Sequence, residues 1–393
     1  MNDPTPLEML LQAAATAKSV SIGLPASTSY SEKRFPLTPE AAAVLVERGY
    51  SVRMQTGAAA CIHYSDAAYS RMGVHITDRD TTLRSDIVIH LPAINYADAS
   101  RLKRGALLLT FFHPELQDPR ALRLLMQKYI NCIALDLIEN SDSRKPFADI
   151  LNEIDGRAAL AIASSLLADS VHGKGILMGG VAGIVPCEVT VLGSGFDALA
   201  AARTAIGLGA TVRMFDNDSY SLREADRMLG PAVITSAMHP RVLVSALRSA
   251  DVVVACNNCG CPQISSEIVQ EMKRGVIIFD LGAQGGNGGI FPSLPQSDLA
   301  LASPSDNSLD TGRRICYVNA GSAVPRTAAM ALSNVFMTML SDLLSCDGVA
   351  NALKLNPGLR KGAYIFMGKP VNQRLARMLN MRHVDISIML QFS

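Results

Sequence analysis

The chain has 393 residues, 49% of them hydrophobic, and 36 Lys and Arg against 35 Asp and Glu leave a net charge of +1. That length exceeds what one core usually holds, so two domains are expected. Near-neutral charge, with no basic tail, removes the electrostatic case for nucleic acid or an anionic membrane surface.

The opening stretch MNDPTPLEMLLQAAATAKSV puts Asp3 and Glu8 where a secretory leader is neutral or basic. Its Leu and Ala spacing fits a short amphipathic helix, and a cytoplasmic location is expected. Val20 to Leu24 reads as a strand. A helix follows over Thr38–Arg48, with Thr38 as N-cap, Pro39 at the first helical position and Gly49 past the end. Further strands fit Ser51–Gln55, Asp86–His90, Ala106–Phe111 and Asn131–Leu135, with helical patterns between most of them. A long helical pattern, Asp149–Asp169, leads into a second series. Its strands fit Glu188–Leu192, Thr211–Phe215, Asp251–Ala255, Val276–Phe279 and Ile315–Val318, and its helices Ala198–Gly207, Arg241–Ser249 and Ser265–Met272. Such alternation marks parallel sheets with crossover helices. The last long helix, Arg326–Leu344, is expected to return to the first domain. Its apolar part, from Ala328, is broken by Ser333, Asn334, Thr338 and Ser341 and is shorter than the roughly 20 residues of a membrane span. It reads as a buried or subunit-facing helix. The expected division is residues 1–147 plus 328–393 as a discontinuous first domain, and 148–327 as the second.

The strand EVTVL runs into Gly193-Ser194-Gly195-Phe196-Asp197-Ala198 and then a helix. Glycine at 193 permits a tight turn, glycine at 195 lets backbone approach a pyrophosphate, and Ala198 lets helix and strand pack closely. The helix N-terminus offers unpaired N–H groups to phosphate. The next strand ends at Asp216, about 20 residues on, where an acid accepts from the ribose hydroxyls of NAD and repels the 2′-phosphate of NADP. NAD is therefore the expected cofactor. The fold class is α/β, two Rossmann-like parallel-sheet domains separated by a cofactor cleft.

Eight scattered cysteines suit reduced thiols. Cys256, Cys259 and Cys261 form a CxxCxC cluster, one ligand short of an all-cysteine zinc site and with no nearby His; structural thiols are expected, and no metal.

The runs GKGILMGGVAGIVPCEVTVLGSGFDALAAARTAIGLGATVRMFD, VSIGLPASTSYSEKRFPLTPEAAAVLVERGYSV, GALLLTFFHPE, FDLGAQGGN and VNAGSAVPRTAAMALSN resemble, in order, those of alanine dehydrogenases and the related transhydrogenase α-subunits. The likeness extends from about Val20 to about Arg360. It implies an NAD-dependent oxidoreductase of amino-acid metabolism that converts L-alanine, or a similar small amino acid, reversibly to the 2-oxo acid and ammonium. That chemistry needs a cation for the substrate carboxylate, an acid/base group, and a carboxylate that helps water add to an imine. By resemblance, Arg34 binds the substrate carboxylate and His113 is the acid/base. The family lysine after DIVIHLPA is replaced by Pro92, and His90, on the same side of the strand, is its candidate substitute. The family aspartate is replaced by Gln284, whose amide cannot act as a general base. The resemblance also assigns cofactor contacts: Asn152 at the head of the inter-domain helix and Asn319, Ala320 and Gly321 toward the nicotinamide, Asn257 and Asn258 toward the adenosine, and Ala283 with Gln284 in the intervening loop. A small-molecule substrate and a homo-oligomer without membrane insertion follow. Two alternatives stand beside the dehydrogenase: a transhydrogenase-like NAD(H)-binding subunit, and an NAD-binding regulatory protein that has lost turnover.

Overall fold

The computed structural model describes residues 20–113, 116–257, 259–283, 289–301, 314–346 and 348–391. The expected N-terminal helix, Asn258 and Gln284 lie outside them. The chain divides into two compact units, one of Met1–Ser27, Phe35–Ile138 and Ser333–Ser393, the other of Thr28–Arg34 and Glu139–Leu332.

In the first unit β1 (Ser21–Leu24), β2 (Ser51–Gln55), β3 (His75–Thr77), β4 (Ile87–Ile89), β5 (Leu107–Thr110) and β6 (Asn131–Ala134) pair in parallel, in the spatial order β6-β5-β4-β1-β2-β3. β1, β4 and β5 are buried along their whole length, which is why they read as unbroken apolar runs: both faces are covered. The helix Pro39–Glu47 starts as its sequence dictates, with Thr38 accepting the Ala41 N–H at 3.4 Å and Pro39 opening the first turn. Beyond β6 the strands Ala363–Phe366 and Lys369–Pro370 complete the sheet antiparallel, a departure from the all-parallel expectation.

The second unit holds β7 (Glu188–Leu192), β8 (Thr211–Phe215), β9 (Val233–Ser236), β10 (Val252–Ala255), β11 (Ile277–Asp280), β12 (Gln296–Asp298) and β13 (Cys316–Val318). All are parallel, in the order β12-β13-β11-β10-β7-β8-β9. Side chains alternate across the sheet. Val189, Val191, Val252 and Val254 pack with Ala159, Ala198, Ala201 and Ala202 of the helices Pro146–Ala168 and Phe196–Gly207. Leu192, Val253 and Ala255 pack on the other face with Leu243, Ala246 and Leu247 of the helix Pro240–Ser249. The chain leaves β7 toward β8 on one side and later returns to β10 on the other, so the strand order reverses at β7, where open α/β sheets bind ligands beyond the carboxyl ends.

Five strands are absent from the sequence reading: the buried, internal Ala363–Phe366, the two-residue Lys369–Pro370, and β3, β9 and β12, which are edge strands with half-exposed faces. An edge strand satisfies its backbone on one side only and need not be apolar, so its pattern is weak. The helix expected over Arg326–Leu344 runs Pro325–Leu344 and reaches 20 residues, longer than the apolar part taken alone. By length and composition it could cross a membrane. Ala328, Ala329, Leu332, Phe336, Leu340 and Leu343 are nevertheless buried within the protein, at the three- and four-residue spacing of a helix packed in a core.

Candidate functional site

At the end of β7 the Gly193 N–H donates to the Phe215 carbonyl at 2.7 Å, and the residue turns with φ +114°, a conformation L side chains rarely adopt. A Cβ there would lie 3.0 Å from Cβ of Cys259 and 3.1 Å from Cβ of Cys256. Gly195 is the N-cap of the helix Phe196–Gly207, which starts two residues before Ala198, and as glycine it brings no capping side chain. Of the first-turn N–H groups, that of Ala198 is taken by the Asp197 carboxylate, so an anion would be met by the N–H groups ahead of it. Ala198 is fully buried. Asp216, just past β8, accepts from Ser194 Oγ at 2.6 Å and from the Asp218 N–H at 2.9 Å, which ties the acid to the glycine turn.

Asp197, unremarked within the fingerprint, is only 1% exposed. Its carboxylate accepts the Ala198 N–H at 2.9 Å and the Asn257 N–H at 2.6 Å. Desolvation pushes its pKa up, against those hydrogen bonds. Asn257 in turn donates from Nδ2 to Oδ1 of Asn152 at 3.1 Å. The two asparagines expected at opposite halves of a dinucleotide thus meet. Asn152 also lies in the second turn of its helix rather than at the head, because Pro146 starts that helix earlier than the expected Asp149. Ala283 is buried and donates its N–H to Asp280 at 3.0 Å; the same carboxylate accepts from Gly282 at 3.2 Å and from Ile290 at 2.7 Å. Asp280 therefore fastens both ends of the loop that contains Gln284.

A second cluster forms in the same unit. Arg34 donates from Nε to Glu32 at 2.7 Å and also pairs with it through Nη2, while its backbone N–H reaches that carboxylate at 2.9 Å. Desolvation works against the guanidinium charge, but the charges of Glu32 and Asp155 outweigh it and raise the pKa. Asp155, on the helix Pro146–Ala168, accepts the Gly321 N–H at 2.7 Å. Its pKa is pushed up to about 6, chiefly by desolvation, with Arg34 and that N–H opposing and Asp197 and Glu32 adding to the rise. A Cβ at Gly321 would come within 2.1 Å of the Asp155 carboxylate, so the contact needs glycine. Asn319, in the left-handed region at φ 62°, donates from Nδ2 to the Ser31 carbonyl at 2.6 Å and to Asp298 at 3.1 Å; Ala320 beside it is buried. Arg34, Asn319 and Gly321 are brought together. Because Glu32 occupies the Nε–Nη2 face of the fork, a further carboxylate would have to meet Arg34 end-on or displace Glu32.

The remaining candidates lie in the first unit. His113 follows β5, half-buried, its ring 6.0 Å from that of Phe111. His90 is 2% exposed, with Nδ1 donating to the Pro92 carbonyl at 3.0 Å, an acceptor it shares with Thr110 Oγ1. That bond braces the strand end through Nδ1 and accounts for one of the two ring nitrogens. Pro92 is buried beside it.

Sequence reading did not weigh Glu32, Asp155 or Asp197. For Asp155 a signal existed: it is three residues from Asn152 on one helix face, an acid just ahead of the small and apolar run AALAIAS.

Models of the alanine dehydrogenase/PNT N-terminal and C-terminal domains match residues 23–153 and 159–373. Among curated proteins, the chain is 29% identical to alanine dehydrogenase of Mycobacterium tuberculosis over 362 residues, 90% of this chain and 95% of that one. It is 27% identical to alanine dehydrogenase 2 of Staphylococcus aureus over 95% of this chain and 100% of that protein. Among solved structures, an L-alanine dehydrogenase aligns with TM-score 0.80 at 24% identity, covering 92% of this chain and 99% of that one. A transhydrogenase from Sinorhizobium meliloti aligns at 0.72 and 17%, covering 89% and 100%. The two-domain α/β fold is thus shared with both, and the matched domains span most of the sequence. The chain belongs to the alanine dehydrogenase/PNT family.

Proposed function

We propose that this chain is an NAD-dependent amino-acid dehydrogenase of the cytoplasm that interconverts a small amino acid with its 2-oxo acid and ammonium, working as a homo-oligomer. NAD would be held by the Gly193–Gly195 turn, the first turn of Phe196–Gly207 and Asp216. The fit rests on the positive-φ glycine at 193, the glycine N-cap at 195 and the acid fastened to the turn through Ser194. When bound, the nicotinamide accepts or returns hydride. The chain's own contribution starts with Arg34, a cation for the substrate carboxylate held in place by Glu32. His113 is the acid/base group. Asp155 supplies a carboxyl poised near neutrality in a chain whose Gln284 cannot provide one.

The carrying observation is the cluster Arg34–Glu32–Asp155 against the Asn319–Gly321 turn, in the same unit as the dinucleotide turn. A buried acid that resists ionisation costs stability at neutral pH, and such groups concentrate where chemistry requires them. The test is NADH oxidation with a panel of 2-oxo acids plus ammonium, beside calorimetric titration with NADH. Turnover with at least one 2-oxo acid is expected; NADH binding with none would overturn the dehydrogenase reading. One observation favours a transhydrogenase-like hydride donor as second reading: Pro92 and Gln284 stand at two positions where deamination requires ionisable groups. Hydride transfer from NADH to an NADP analogue, without any oxo acid, would establish it.

A further inference from the structure

Asp197 has no part in the cofactor contacts assigned above, yet it stands among them. It is the second residue of the helix Phe196–Gly207 and almost fully buried, and among the described residues no Lys, Arg or His pairs with its carboxylate. A Cβ built on Gly195 would meet Asp197 Oδ1 at 3.1 Å, which puts that oxygen on the side of Gly195 where its missing side chain leaves room. The glycine fingerprint keeps such room free so that the backbone can approach a diphosphate. A carboxylate and a diphosphate brought to one glycine repel each other, and away from water the repulsion is screened little.

Neither the backbone nor the carboxyl group is free to move aside. A Cβ on Gly156 would fall 2.1 Å from the Asp197 carbonyl oxygen, so the helix start lies tight against the helix Pro146–Ala168. Oδ1 accepts the Ala198 N–H and Oδ2 the Asn257 N–H, at 2.9 and 2.6 Å, and the Asn257 amide goes on to Asn152. Turning the carboxyl away leaves two N–H groups without an acceptor. Its charge is what can change.

The surrounding groups favour losing that charge. Asp155, on Pro146–Ala168, has its own pKa raised by Asp197, and so does the Cys256 thiol at the end of β10. Asp216, at the end of β8, is tied to the same turn through Ser194. Arg34, the cation of the neighbouring cluster, is engaged by Glu32. Burial pushes Asp197 up in the same direction, and a diphosphate, negative on each phosphate, would push it further.

We propose that Asp197 is a cofactor-binding residue that works in its protonated form: dinucleotide binding takes one proton from solvent onto its carboxyl, whose O–H then donates to a diphosphate oxygen. The carboxyl oxygens keep the Ala198 and Asn257 N–H groups as donors, so the turn stays in place and only its charge alters. Affinity for the dinucleotide therefore falls as pH rises. A carboxylate that merely ties helix to loop would hold its charge and take up nothing.

The proposal rests on the NAD reading of this turn. The full-length protein is titrated calorimetrically with NADH at several pH values, in Pipes and in Tris, which differ in ionisation enthalpy. The expected result is uptake of about half a proton or more per NADH at neutral pH, with affinity falling by up to about tenfold per pH unit. Asp197→Asn should abolish the uptake and flatten the pH dependence, whereas Asp155→Asn should keep both. Infrared difference spectra of the wild-type protein serve if Asp197→Asn does not fold: NADH should bring up the C=O stretch of a protonated carboxyl, and the band should persist in Asp155→Asn. NADH binding without proton uptake, uptake unchanged in Asp197→Asn, or a carboxyl band lost in Asp155→Asn would each overturn this proposal and leave the cofactor assignment standing. No NADH binding at any pH would overturn the cofactor assignment, and this proposal with it.

Discussion

The glycine turn after β7 and the strand ends of the first unit are built from similar materials, yet they spend their polar groups differently. Around Gly193 the polar side chains are tied to one another in a chain. Ser194 donates to Asp216, while Asp197 takes the N–H of Asn257, whose amide reaches Asn152. At the ends of β4 and β5, His90 and Thr110 converge on the carbonyl of Pro92. The first arrangement leaves backbone N–H groups and a carboxylate facing a turn that only glycine fits. The second uses Nδ1 of His90 and the Thr110 hydroxyl to hold the strand end. A histidine at a strand's carboxyl end is therefore not a functional group by position alone; what its ring nitrogen is bonded to decides.

Substitutions can widen or erase that contrast. Arg34→Ala carries the largest expected effect, since it leaves Glu32 and Asp155 as two carboxylates without their cation. Breaking such a buried pair costs about 3–5 kcal/mol, and kcat/KM with the accepted 2-oxo acid should fall by about a hundredfold or more. Arg34→Lys should recover little, because an ammonium cannot reproduce the fork held by Glu32. Gly193→Ala comes next: the positive φ and the two cysteine Cβ contacts should weaken NADH binding by about a hundredfold in calorimetry, whereas His90→Gln should change thermal stability but not NADH affinity.

Asp155→Asn tests the buried acid by pH. Its folded pKa of about 6 stands above the ordinary aspartate value of 3.8, so the native state holds the proton more tightly than the unfolded chain. Its contribution favours folding below 3.8, is lost as pH rises to about 6, and stays lost above. The asparagine variant, which keeps an acceptor for the Gly321 N–H, should be more stable than wild type by about 1–3 kcal/mol at pH 8, with the difference vanishing near pH 4 in denaturant titrations. If Asp155 takes part in the reaction, an inflection near pH 6 in kcat/KM should also disappear; a purely structural acid would leave that profile in place. The smallest change expected is in Asp216→Asn, where preference for NADH over NADPH should narrow by about tenfold.

Much of this was legible in the residues. β2, β7 and β8 occur over the ranges expected for them: β7 is buried and, Thr190 apart, apolar beyond Glu188, β2 and β8 alternate buried with half-buried residues, and glycines lie close to their ends. The glycine fingerprint and Asp216 were readable from spacing, since a tight turn and a strand end fix where those residues fall. The edge strands β3, β9 and β12 were not, because half-exposed strands of three or four residues carry little pattern. Neither was the grouping of Glu32, Arg34 and Asp155. It depends on the segment Thr28–Arg34 belonging to the second unit, a long-range packing fact that local periodicity does not encode.

A crystal structure of the protein soaked with NADH bears most directly on the placement of the cofactor. Diphosphate density against the N–H groups of residues 194–196, with the adenosine ribose within hydrogen-bonding distance of the Asp216 carboxylate, is the expected result. Density for NADH elsewhere, or an Asp216 carboxylate that keeps only its Ser194 and Asp218 partners with NADH bound, would contradict it.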